Sequence, residues 1–467
     1  MGRKDDRPPD RCADGRSGVG DPRRHVRCRL VCAFARTGFL RALFIPSSIV
    51  AGFLVLLLGP QMLGRLTRTN GLFPSEVLEV WRVLPGLLIN VVFGAIMIGK
   101  TLPKPRQLWH AAAPHALFGT FLSLGQFALA GLAVLFVLGP VFGLPPEAGA
   151  LLEMSFAGGH GTIAGMGQLL TDVGASDLVD VGLGLATISM ITGVGVGSAL
   201  VRWAVHSPRV TVMRNAAPTA KEDYDVDRVR VAPADDRHRV DDGIHSTVFA
   251  FALVAAAIVL AVGLLWGLRW IANALGSDIF DKLPLFPLTV IGGFVVQWLA
   301  TKTGQAAKVD KQAVDGISAI ALDALLVSAI GTMSLATLGS NVPAIIVFTV
   351  IGVLWSVVTL LWLGRRFHRT NWFEHTIADF GQSQGNVATG FVLADMVDPQ
   401  RRTSTANDYG YKQLAYEPIL GGGLITALSV PLITEFGLPA FTIASFAVLL
   451  VVGVWGIRRA RTTTPAG

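Results

Sequence analysis

Charged residues are scarce in this chain: Asp, Glu, Lys and Arg make up 15% of its 467 residues, against 52% hydrophobic. A soluble globular domain carries about 25% charge and a disordered chain is less apolar, so both classes are excluded. Cysteine is scarcer still. Its three copies, Cys12, Cys28 and Cys32, all precede the first apolar run, so no disulfide framework holds the fold. Cys28 and Cys32 have only His25 near them at ligand spacing and read as an incidental pair. Period-two alternation is absent from the apolar runs, which excludes an outer-membrane barrel. Also missing is an apolar stretch ending at a small-residue cleavage site, so no secretory signal is expected. A zinc protease would need a His-Glu-x-x-His helix, which does not occur, and a serine enzyme has only Ser155 with His160. Glycine crowding around that pair is better explained by ligand access, so no catalytic residue is expected and an intramembrane enzyme is the remote alternative. The net charge of +7 sits mostly in loops and tails, where membrane topology already places Lys and Arg, and does not indicate nucleic acid.

What the chain does have is a mean hydropathy of +0.55 and many apolar runs of roughly 18–25 residues, each long enough to cross a bilayer as a helix. Spans are expected at about 39–63, 82–100, 114–139 and 179–203, then at 246–271, 284–301, 314–338, 342–364, 411–434 and 438–457. Residues 1–36 read as a disordered basic cytoplasmic tail, and 205–245, rich in mixed charge, as a cytoplasmic linker between two halves. The halves, 37–204 and 246–434, resemble each other: LFIPSSIVAG at 43–52 has a counterpart in LFPLTVIGG at 285–293, each followed by two spans and a glycine-interrupted segment. Residues 435–467 form an extra span and tail, and span 246–271 has no partner ahead of the first element.

Positive clusters at 23–29, 100–106, 202–239, 302–311, 365–369, 401–412 and 458–461 can all lie in the cytoplasm in one threading, with Arg65 and Arg68 the exception. That threading requires the segments 147–171 and 374–397 to enter and leave on one side each, the first from outside and the second from the cytoplasm. The expected fold is therefore an all-α polytopic membrane protein with two inverted repeats of about five helices, each holding a re-entrant glycine-rich hairpin.

The chemistry is expected where the two hairpin tips meet. Irregular backbone inside a membrane is tolerated where it is buried or lines a cavity, and transporters bind substrate and ions there. The alternative at a single tip is a tight glycine contact between helices. The first tip offers Ser155, Gly158, Gly159, His160, Gly161 and Thr162; the second offers Gln382, Ser383, Gln384, Gly385, Asn386, Thr389 and Gly390. Asn90, Glu153, Asp323, Asp379, Asp395 and Glu417 are polar residues in apolar surroundings. Asp323, in mid-span, reads as functional or as a structural hydrogen bond to a neighbouring helix. Glu153 and Asp395 read as solvated at hairpin ends. His160 reads equally as a capping or packing residue and as a ligand contact, with proton coupling a third role.

GGHGT at 158–162, inside MSFAGGHGT, with the IPxxxAG element at 45–52, resembles bacterial sodium/glutamate symporters. GNVATGFVLADMVDP at 385–399 and the following NDYGYKQLAYEP look like the second hairpin and final-span region of a divergent branch, so the resemblance covers about 37–434. It implies a dimeric, sodium-coupled carrier of L-glutamate in a bacterial-type inner membrane, working by alternating access, with sodium as coupling ion and no cofactor. Gly158 to Thr162 and Gln384 to Gly390 would form the substrate and sodium site, with Ser155 and Asp323 beside them. A sodium- or proton-coupled carrier of another small carboxylate, using Asp323 or His160, is the alternative. The second tip lacks the family's commoner glycine- and alanine-rich form, which bears on the anion carried.

Overall fold

The computed structural model describes residues 46–69, 71–100, 105–207, 210, 212, 246–276, 280, 281 and 283–462. The expected tail with its three cysteines, the start of the LFIPSSIVAG element and most of the charged linker lie outside the described residues.

The described residues are helical throughout, without a strand: α1 Ser47–Leu58, α2 Ser75–Ala95, α3 Pro105–Ala133, α4 Leu151–Phe156, α5 Gly159–Gly165, α6 Gly167–Asp172 and α7 Asp177–His206 come first. After the linker follow α8 Ser246–Ala274, α9 Phe286–Lys302, α10 Lys311–Gly331, α11 Leu335–Ser340, α12 Val342–Phe367, α13 Trp372–Ser383, α14 Val387–Val397, α15 Thr405–Tyr416, α16 Leu424–Phe436 and α17 Leu438–Thr462. Among the described residues, eight helical stretches are long and apolar enough to cross a membrane, including Ser47–Thr67 and Ala111–Phe142, which run on through widened π turns. Large apolar side chains such as Leu54, Val259, Trp266, Leu354 and Val451 stand exposed on these helices, as a lipid-facing surface requires.

Helix ends follow from local chemistry. Pro46 precedes α1 and Pro287 occupies the first turn of α9, where the missing N–H costs nothing. Asp310 caps α10 by accepting from the N–H groups of Gln312 and Ala313. Two expected spans are shorter than their apolar runs. The 314–338 run stops at Gly331 and resumes as α11. The 411–434 run is two helices, α15 and α16, because Pro418 and three glycines intervene and Gly421 and Gly422 sit at φ +65° and +103°, outside helical geometry.

Packing falls mainly into two groups. In one, α2 packs on α10, α9 and α8, while α1 packs on α10; in the other, α3 packs on α17, α15, α12 and α13, and α7 on α12, α13 and α14. The broken segment joins them, α4 touching α3 and α7 while α5 touches α2 and α10. The first group is reciprocal between the halves: α1 meets α10 as α9 meets α2.

Small residues set these approaches. A Cβ on Gly292 would stand 2.1 Å from the carbonyl oxygen of Ala257, so α8 and α9 touch backbone to backbone. Gly292→Ala is expected to push them apart at a cost of about 1–3 kcal/mol, read as a lower thermal unfolding midpoint in detergent; an unchanged midpoint would show that the contact yields freely.

Candidate functional site

The first tip forms where α4 ends and α5 begins. Gly159 sits at φ +73°, a left-handed conformation that glycine adopts without strain, and it turns the chain between the two short helices. Thr162 donates its hydroxyl back to the Gly158 carbonyl at 2.9 Å. His160 is buried, with Nε2 2.9 Å from the Thr187 hydroxyl on α7.

At the second tip α13 and α14 fold back on each other, and a Cβ on Gly381 would lie 2.7 Å from Cα of Gly390. Asn386 caps α14, its side-chain oxygen accepting from the Thr389 N–H at 2.9 Å and the Thr389 hydroxyl at 3.2 Å. The tips come together: a Cβ on Gly159 would stand 3.4 Å from the Gly385 carbonyl oxygen.

A cavity of about 280 Å³ opens at this meeting point. Eight of the eleven residues expected at the site line it: Gly158, Gly159, His160, Gly161, Thr162, Gly385, Asn386 and Asp323, joined by Gln382 and Glu417. Ser155, Gln384 and Thr389 do not. Ser155 and Gln384 lie wholly buried behind the tips, and Thr389 is held in the Asn386 cap. Gln384 donates to the Gly352 carbonyl at 2.9 Å and to Ser356 at 2.8 Å, leaving its side-chain oxygen without a donor. The hydroxyl of Ser155, Oε2 of Glu153 and Oε1 of Gln126 are likewise buried without a hydrogen-bond partner.

Glu153 corrects an expectation. Instead of standing in interfacial water it is fully buried, and Oε1 accepts from the Gly421 N–H and the Thr426 hydroxyl, each at 3.1 Å. The non-helical glycine turn that breaks the 411–434 run supplies this donor. Asp395 does lie at a helix end, paired with Arg401 at 3.2 Å. Asn90 donates to the carbonyl of Gly86 on its own helix at 2.8 Å.

Behind the second tip is a polar cluster that the sequence pattern did not reveal. Asp379 accepts from Lys412 Nζ on Oδ1 and from His115 Nδ1 on Oδ2, both at 2.8 Å. Lys412 also donates to Gln382 at 2.7 Å, and Gln382 exchanges hydrogen bonds with Gln413. Lys412 was counted with the positive loop at 401–412; it is 1% exposed and lies within the protein. Its space is made by Gly119, where a Cβ would stand 2.6 Å from the ammonium. The available signal was an ionisable residue spaced on the same helix as buried aromatics, Tyr409 and Tyr416, whose rings flank the ammonium at 5.4 and 4.2 Å.

The profile of the sodium/glutamate symporter family matches residues 31–369. The chain belongs to the sodium/glutamate symporter family. It is thus a multi-pass transporter of a family of carriers rather than enzymes, and its first tip, with GGHGT, lies inside the matched stretch. The second tip and the Asp379–Lys412 pair lie beyond it. No curated protein matches the chain.

Proposed function

We infer that this symporter-family chain carries L-glutamate with sodium by alternating access, at the cavity between the tips. The observation that carries the reading is that two glycine-broken segments, more than two hundred residues apart, meet at Gly159 and Gly385 on one cavity. The N-terminal end of α14 borders that cavity and favours a carboxylate through its free N–H groups and partial positive charge, while Glu417 suits the substrate ammonium and the Asp323 carboxylate a sodium ion. Sodium takes oxygen ligands, and the unpartnered oxygens of Glu153, Ser155, Gln126 and Gln384 behind the tips are of that type. The reciprocal packing of α1 on α10 and α9 on α2 supports two inverted repeats with re-entrant hairpins. The homodimer and the bacterial-type inner membrane follow from the family resemblance, and the cytoplasmic linker from its Arg-rich charge.

The test is uptake of labelled L-glutamate into proteoliposomes with and without an inward sodium gradient, against unlabelled aspartate, citrate and glutamine. Sodium-dependent accumulation blocked only by close glutamate analogues establishes the reading; accumulation blocked by citrate moves it to another carboxylate, and none at all removes it. In the same assay Asp323→Asn is expected to raise the sodium concentration for half-maximal uptake roughly tenfold, about 1.4 kcal/mol of lost attraction. An unchanged sodium dependence would take Asp323 out of that role.

A further inference from the structure

We propose that His115, His368 and His375 form a binding site for one transition-metal ion of the zinc class, which ties the second hairpin to its neighbours. The site shares no lining residue with the cavity between the tips and goes beyond the carrier reading, since the ion binds there whatever the chain transports.

The three imidazoles come from three elements. His115 is on α3, His368 follows the last turn of α12, and His375 is in the first turn of α13, the arm that leads to the second tip. One nitrogen from each lies within 4.8 Å of the other two. Ring centroids are 4.9 Å apart in every pair, with His368 stacked on His375. All three residues are buried, and all three line one polar pocket of about 240 Å³, which gives an ion a way in.

Two features point to a ligand rather than to packing. Nε2 of His368, a residue only 6% exposed, has no hydrogen-bond partner among the described residues, so its lone pair is open to an ion. The second feature is at His115. An ionised Asp379 only accepts, so Nδ1 of His115 donates to its Oδ2 at 2.8 Å and Nε2 is left bare. A carboxylate behind the far nitrogen is the means by which ligating histidines are oriented and made more basic. Asp379 lies one turn beyond His375 on α13, and Lys412, at 2.8 Å, balances its charge.

Nδ1 of His375 stands 2.8 Å from the bare Nε2 of His115 and donates to it. Two nitrogens bonded to one tetrahedral zinc at about 2.0–2.1 Å stand about 3.3 Å apart, so this pair opens by about half an ångström while His368 closes on the ion. His375 then carries its hydrogen on Nε2, and three neutral nitrogens face the metal, the form that ligates. Imidazole suits zinc, copper and nickel, whereas sodium, magnesium and calcium take oxygen. The fourth position opens on the pocket, where Arg369 and Arg459 favour an anion such as chloride or hydroxide over neutral water.

The experiment uses the full chain in detergent, purified without a polyhistidine tag, with zinc and then cobalt(II) as probes. The expected result is one zinc per chain and a raised thermal unfolding midpoint, with magnesium and calcium at the same concentration leaving the midpoint unchanged. Cobalt is expected to show the visible bands of a tetrahedral ion without a near-ultraviolet thiolate band, which separates the histidines from Cys12, Cys28 and Cys32. His368→Gln removes a ligand whose Nε2 has no hydrogen bond to lose, and it is expected to weaken zinc binding by about 100-fold, the upper end of what loss of an outer-shell partner costs. His375→Gln repeats the test from α13. No bound zinc or a thiolate band on cobalt in the unaltered protein overturns the site, and so does full zinc affinity in either folded variant.

Discussion

Gly159→Val abolishes glutamate uptake while the protein still reaches the membrane. Gly159 holds φ +73°, and a β-branched residue forced there costs on the order of 1–3 kcal/mol. Its Cβ would already stand 3.4 Å from the Gly385 carbonyl, so the methyls beyond it must push the tips apart. Against a typical total stability of about 5–15 kcal/mol the fold survives, but the cavity between the tips does not. Gly161 is the control. A Cβ there meets only Ile89 and Leu322, each at 3.7 Å, with ordinary backbone geometry, so Gly161→Ala leaves part of the uptake. Uptake normalised to membrane-inserted protein decides it; full transport by Gly159→Val would remove the tips from the site.

Lys412→Met lowers stability by roughly 3–5 kcal/mol, the cost of leaving one buried charge without its partner. Asp379 is itself fully buried, and His115 gives it a hydrogen bond but no compensating charge while neutral. Adding Asp379→Asn recovers part of the loss, since no uncompensated carboxylate remains. Thermal unfolding of the two single variants and the double variant in detergent closes the cycle. Losses that simply add would show that the two side chains do not act as a pair.

The broken segments were legible because glycine departs from both helical preference and the apolar period at 158, 159 and 161 and again at 381, 385 and 390. Their meeting was less so. GGHGT and GNVATG are locally informative, yet only the contact between Gly159 and Gly385 puts Asp323, on a separate helix, into the same cavity. Lys412 was misread for the same reason: within its own stretch it follows Arg401 and Arg402 and looks like one more loop cation, until Gly119 on α3 opens room for it and Asp379 on α13 pairs with it.

Sequence alone determined that the chain lives in a membrane, where most of its spans lie and that GGHGT interrupts one apolar run, and it pointed to the sodium/glutamate symporter family. Those properties depend on hydropathy over a single helix length and on backbone preferences of neighbouring residues. The tertiary structure decided which polar groups share a site. His115 and Asp379 stand 264 residues apart, a separation that no local period encodes. In an apolar interior each polar atom gains most from whichever partner the fold delivers, and the packing of α3, α13 and α15 delivers these.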